Sequence, residues 1–258
     1  MSSRRLKYRG SRKHILDWVE QEDFPYQLKK LTNLPGVEIE HNDRWAPIGY
    51  RDPDEARLEQ FGPTEFPNLV TSNSLRYWWL VHNGRANTPN WDLVSTCTIA
   101  KTRGLILVEA KANDNELDTA GKPLKPDASD KSRENHKRIG QAIKEASDDL
   151  GRHMPGLNLS RETHYQLANR VAWSWKVASL GVPAVLIYLG FLGDQGIADV
   201  GEPIHDSGHW LCLMKNYTKQ ILPDSFFNRW LFCGDAAMQM ILRSRTITDP
   251  SPPRYSTV

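Results

Sequence analysis

The sequence predicts a mixed α/β fold in which a central mixed sheet is flanked by helices, and three features predict it. The stretch "PNWDLVSTCTIAKTRGLILVEAKAND", residues 89–114, reads as two strands joined at "AKTRG", the second too continuously apolar to have a solvated face. "VPAVLIYLGFL", residues 182–192, is another such strand. Between them, "SRETHYQLANRVAWSWKVASLG" carries Leu167, Val171 and Trp175 at four-residue intervals. A long helix between two buried strands calls for a crossover and parallel pairing.

The other elements follow in order. Ile15, Leu16, Trp18 and Val19 have helical spacing, but Pro25 interrupts it, so residues 14–31 hold short elements. Residues 32–68 are rich in Pro, Gly and Asp and form an irregular covering layer, with "DPDEARLEQFG" as a short helical candidate. "SNSLRYWWLVHNG" predicts a helix started by Ser72 or Ser74 and stopped by Gly84. The polar, aperiodic residues 112–133 read as a mobile loop over one face. "ENHKRIGQAIKEASDDLG" is an amphipathic helix ending near Gly151, and the next helix starts at Ser160 and stops at Gly181. "HWLCLMKNYTKQIL" is helical, "AMQMILRSRTI" a final strand, and residues 249–258 a tail. In domain terms, 1–13 is a basic flexible arm and 14–248 a single domain, divided into a covering layer (14–70), a core (71–192) and C-terminal additions (193–248).

Composition excludes several classes. At 258 residues and 39% hydrophobic content the chain can build a core. The net charge of +2 is unevenly spread: residues 1–13 hold six Lys or Arg and no acid, a phosphate-seeking pattern or a solvated terminus. Cys97, Cys212 and Cys233 have neither disulfide nor metal-ligand spacing, which fits a reducing compartment. The longest apolar run falls short of a bilayer span, and no secretory leader is read at the N-terminus, so the expected location is cytoplasmic, with no membrane partner. "HDSGH" spaces His205 and His209 by four but lacks the glutamate of a zinc helix and reads as a loop and a helix start.

The chemistry concentrates at the end of the second strand. Side chains alternate between faces, so Glu109 and Lys111 share one face while Val108, Ala110 and Ala112 take the other. A turn around residues 100–103 makes paired positions sum to 201 or 203, which sets Asp92 opposite Glu109 or Lys111 and on their face. Unpaired burial of these charges is costly, which leaves a structural ion pair or a bound cation. Magnesium takes two carboxylates, one backbone carbonyl and waters, and the carbonyl of Ala110 lies between Glu109 and Lys111. Such an ion polarises a phosphate and activates a water, which Lys111 can position. Two mutually repelling carboxylates also predict that neutralising either one leaves metal-free stability unchanged or raised.

The order Asp92, a sixteen-residue hairpin, then Glu109-Ala110-Lys111 resembles the PD-(D/E)XK nuclease superfamily, also called the restriction-endonuclease-like fold, over about Leu75 to Leu192. The resemblance implies an αβββαβ core and a metal-dependent nuclease that hydrolyses phosphodiester bonds, most readily in DNA. By it, Asp92 and Glu109 bind Mg2+, for which Mn2+ can substitute, and Lys111 is the catalytic lysine. Gln166, one of a polar set with Asn169, Arg170 and Trp173 on the long helix, would orient water or phosphate. Two departures stand: Pro89 does not directly precede Asp92, and "SNSLRYWWLVHNG" holds no acid, leaving Glu55, Glu59 or Glu65 to supply an additional ligand. The alternatives are a catalytically inactive nucleic-acid-binding or scaffold protein of the same fold, and a hydrolase using Asp92 and Glu109 as acid and base. A homodimer is left open.

Overall fold

The computed structural model describes residues 8–61, 66, 71–82 and 87–247, apart from the side chains at 60 and 71–73. The basic residues 4, 5 and 7, Glu65, Gly84 and the tail therefore lie outside the described residues. Helix α1 (Gly10–Val19) and helix α2 (Phe24–Thr32) are the two short N-terminal elements. The helix begins at Gly10, so residues 10–13, read as part of the arm, belong to a folded element. Pro25 sits in the first turn of α2, where its missing N–H has no helical partner to lose.

Strands β1 (Val37–Glu38) and β2 (Trp45–Ala46) both pair with the outer edge of β3 (Leu93–Ile99). The helical candidate at 52–62 is a 3-10 turn over Leu58–Phe61, followed by α3 (Thr71–Trp79). Strand β3 turns into β4 (Thr102–Lys111) through Ala100 and Lys101, both at positive φ, as a two-residue hairpin with strand-matched twist requires. Then come α4 (Asp130–Gly151), α5 (Tyr165–Ser179), β5 (Ala184–Leu192), α6 (Ser207–Thr218), β6 (Leu231–Cys233) and β7 (Ala236–Thr246).

The sheet order is β1-β3-β4-β5-β7-β6. Strands β4, β5 and β7 run parallel, joined by the α4–α5 and α6 crossovers, and all nine residues of β5 are buried. One face carries Leu105, Leu107, Leu186 and Tyr188 against α3, α4 and α5, with Trp78, Trp79 and Trp173 in mutual ring contact. Trp173, read as part of a polar working face, is thus core. The other face places Ile106, Val108, Ala110 and Ala112 against Ile15, Trp18 and Val19 of α1. Charges on β4 can therefore point only toward the α5 side.

Two expectations change. Helix α5 starts at Tyr165, not Ser160: His164 takes a left-handed conformation, and the Ser160 hydroxyl accepts the Glu162 N–H instead of capping the helix. The segment 160–164 is drawn out because it pairs with the polar segment 119–122: His164 donates to the Thr119 carbonyl and Lys122 to the Arg161 carbonyl. Residues 112–133 are accordingly tied down by backbone bonds and hold a 3-10 turn at Asp114–Glu116 and the first turn of α4. A Cβ on Gly121 would lie 2.3 Å from the Glu162 carbonyl oxygen, so only glycine allows this approach. Among the described residues no helix is long and apolar enough to cross a membrane, and the three cysteines are free.

Candidate active site

The β3–β4 ladder ends at Leu93 opposite Val108, which sets Asp92 opposite Glu109, the first of the two predicted registers. Beyond the ladder the chain is held by Trp91, whose buried backbone exchanges two hydrogen bonds with Ala56 at 2.8 and 2.9 Å. Asp92 turns back over β4, and its Oδ2 accepts the Ala110 N–H at 2.7 Å. Within a strand residue the N–H and C=O point to the same edge, so the Ala110 carbonyl also faces Asp92.

Glu109 and Lys111 are 2% and 4% exposed, and on the same face. The Lys111 ammonium donates to Glu109 Oε1 at 2.6 Å and to Gln166 Oε1 at 2.8 Å. Arg170, one turn further along α5, donates from Nε to Glu109 Oε2 at 2.5 Å and from Nη2 to the Asn90 carbonyl at 2.7 Å. Its guanidinium lies 4.7 Å from the Trp91 ring centre. Helix α5 thus supplies an acceptor for the lysine and a second cation for the glutamate, and Arg170 pins the entry to β3 against the end of β4. Asn169 bonds Tyr165 and Arg170.

These contacts separate the two carboxylates. Burial, then the neighbouring Glu109 charge, pushes Asp92 up to about 7. Burial also acts to raise Glu109, but Arg170 and then Lys111 outweigh it and hold this carboxyl below its ordinary range. Tyr188, paired in register with Glu109 on β5, has a fully buried hydroxyl driven well above its ordinary range, chiefly by burial.

A cleft of about 440 Å³ opens on this cluster, lined by Asp92, Glu109, Lys111 and Gln166 together with Ser11, Glu116 and Asp118. Glu116 accepts from the Ala112 N–H at 3.2 Å and from Ser11, and burial raises its carboxyl above the ordinary range. Glu116 and Asp118 were missed in the sequence because residues 112–133 show no period, although the two acids follow the Glu109-Ala110-Lys111 strand end closely. Of the proposed extra ligands, Glu55 lies 4.0 Å from Arg12 and Glu59 accepts the Thr88 hydroxyl at 2.6 Å, and neither lines the cleft.

Four carboxylates against one ammonium make the cleft wall suitable for a hard cation, with oxygen donors only. Asp92 and the Ala110 carbonyl face one another, so these two fit the implied magnesium. Each Glu109 oxygen accepts from one cation, Lys111 or Arg170, and keeps a lone pair, so an ion there would share its oxygen with a positive neighbour that weakens its hold. No group of three or more His, Cys, Asp or Glu side chains is arranged to hold a metal among the described residues. His205 and His209 stack 4.9 Å apart at the start of α6, as a loop and helix start.

No family model, curated protein or solved structure matches the chain significantly.

Proposed function

We propose that the protein is a divalent-metal-dependent nuclease, carried by one observation: Asp92 stands opposite Glu109 at the ladder end with Lys111 on the same face and bonded to Gln166. The restriction-endonuclease-like core is part of this reading. Its αβββαβ order is supported by α2, the antiparallel run β2-β3-β4, α5, and β5 parallel to β4, with α3 inserted between β2 and β3. The first of the three antiparallel strands then lies at Trp45–Ala46, upstream of the stretch that carries the resemblance.

Asp92, the Ala110 carbonyl and Glu109 would hold the ion, Mg2+ or Mn2+, which when bound supplies a polarised phosphoryl oxygen and an acidified water. Lys111 is placed to donate to a non-bridging phosphoryl oxygen as charge grows there, and Gln166 fixes the direction of its ammonium. Arg170 keeps Glu109 ionised and competes with an ion for its Oε2.

Incubation of the purified chain with labelled single-stranded and duplex DNA and RNA in Mg2+ or Mn2+ tests the reading. Cleavage is expected in wild type and a loss of about 10²-fold or more in Lys111→Ala. No cleavage of any substrate, or equal cleavage by the variant, overturns it. The engagement of both Glu109 oxygens by Lys111 and Arg170 favours a second reading: a non-catalytic nucleic-acid-binding or scaffold protein in which these ion pairs satisfy Glu109 without a metal. Binding without cleavage in the same assay selects it.

A further inference from the structure

A second cavity of about 440 Å³ adjoins the catalytic cleft, and Tyr165 lines both. Trp79, Leu80 and Ile139 give this second cavity an apolar part, and Asn87, Lys122, Lys125 and one carboxylate, Asp127, a polar one. Lys122 follows Gly121, itself on the catalytic cleft wall, and its backbone is fixed on both sides. Its N–H donates to the Arg161 carbonyl and its carbonyl meets His136 Nε2, each at 2.9 Å. The side chain is half-buried, and its ammonium lies 4.7 Å from the Tyr165 ring centre. Among the described residues no carboxylate pairs with it, and burial alone moves it below its ordinary range.

Lys122 and Lys125 outnumber Asp127 on this lining, and a half-buried ammonium outside any ion pair is stabilised when an anion completes it. A cavity of this volume, with apolar and polar lining and one residue from a phosphodiester-handling cleft, has room for a nucleotide with its heterocyclic ring. Bases in a duplex are stacked and paired and cannot enter such a pocket; an unpaired base can. From this we infer that the pocket holds an unpaired nucleotide next to the strand that crosses the cleft, with Lys122 on its phosphate and the base over Leu80 and Ile139, making the ligand single-stranded nucleic acid. The inference rests on the nuclease reading of the neighbouring cleft only in that this cleft handles nucleic acid.

Fluorescence anisotropy in EDTA, with the full chain and a labelled mixed-sequence single-stranded DNA 20-mer or its blunt duplex, tests it. The single strand should bind about tenfold or more tightly than the duplex. Lys122→Gln should weaken single-strand binding about fivefold to tenfold and flatten its salt slope by ~0.7, one phosphate, while Lys122→Arg restores the slope. Ser132→Leu, on the exposed first turn of α4, fills the pocket without changing charge and should weaken binding at unchanged slope; it carries the test if Lys122→Gln does not fold. Equal affinity for duplex and single strand, or wild-type affinity and slope in Lys122→Gln, or wild-type binding by a folded Ser132→Leu, overturns the inference. Metal-dependent cleavage with an indifferent Lys122 leaves the nuclease reading standing and removes this one. Lys122-dependent single-strand binding without cleavage does the reverse.

Discussion

Asp92→Asn should stabilise the metal-free protein, whereas Glu109→Gln should destabilise it. Asp92 rises from 3.8 to about 7 through burial and the Glu109 charge. At ~1.4 kcal/mol per tenfold change in ionisation constant, this caps the penalty of its charged form at ~4 kcal/mol. Its partial exposure to the cleft brings the expected gain down to about 1–3 kcal/mol. Asparagine keeps an oxygen for the Ala110 N–H, so that bond survives. The sign follows from proton binding: between about pH 4 and 7 the unfolded chain has lost the Asp92 proton while the folded chain keeps it. Wild-type stability from this group is therefore fully present below pH 4 and lost as pH rises through about 7. The variant lacks that slope, and its advantage should grow from pH 5 to 7 and level off above. Glu109→Gln instead leaves Lys111 and Arg170 facing a neutral amide in a buried site, a loss of about 3–5 kcal/mol. Urea titrations in EDTA at half-unit pH steps read both. A pH-independent difference for Asp92→Asn, or destabilisation by it comparable to Glu109→Gln, refutes the asymmetry.

Gln166→Ala removes the second acceptor of the Lys111 ammonium and should lower cleavage about tenfold with a melting temperature within a degree or two of wild type, read by single-turnover kinetics and calorimetry. Gly190→Ala would bring a Cβ 2.6 Å from the Trp210 ring and should cost about 1–3 kcal/mol in a denaturant titration, since the buried α6 anchor must move. Removal of residues 1–7 takes away three basic residues and should lower the salt slope of nucleic-acid binding while preserving the melting temperature. Removal of residues 1–13 should also lower that temperature, because it deletes the first turn of α1 and the Ser11 contact to Glu116.

How much could be read from the sequence follows the range of the interactions involved. The hairpin register was legible because a short turn leaves few pairings and an apolar strand admits charges on one face only. Both constraints are local and narrow the partner of Asp92 to Glu109 or Lys111, and the ladder selects Glu109. The parallel β4–β5 pairing was legible because a fully buried strand has no other home. The starts of α1 and α5 were not, since Gly10 and His164 take left-handed backbone conformations that no capping pattern announces, and α5 is shortened by a pairing with a segment some forty residues upstream. Trp173 was misplaced because an aromatic ring on a polar stripe gives no sign of a tryptophan cluster on α3. Arg170 was seen as a member of the polar face, but its partner lies 61 residues away, beyond any local pattern.

That partner matters most for the chemistry. The sequence alone implied two carboxylates repelling across a gap, so that neutralising either would be harmless without metal. The guanidinium breaks this symmetry: it holds Glu109 ionised and leaves Asp92 as the carboxylate whose charge is unsatisfied. Arg170 also joins the Asn90 carbonyl and Trp91 ring to Glu109, so the same side chain that fixes Asp92 in space restrains the oxygen a cation would need. Truncation by Arg170→Ala should therefore act in two directions. Stability should fall by about 2–4 kcal/mol through the unpaired glutamate and the loosened Trp91. Divalent-cation affinity per folded molecule should rise, because Glu109 Oε2 is released for ligation. Isothermal titration with Mn2+ against wild type at a temperature where both are folded separates the two effects. Weaker Mn2+ binding by folded Arg170→Ala would mean that the arginine positions a ligand instead of competing for it.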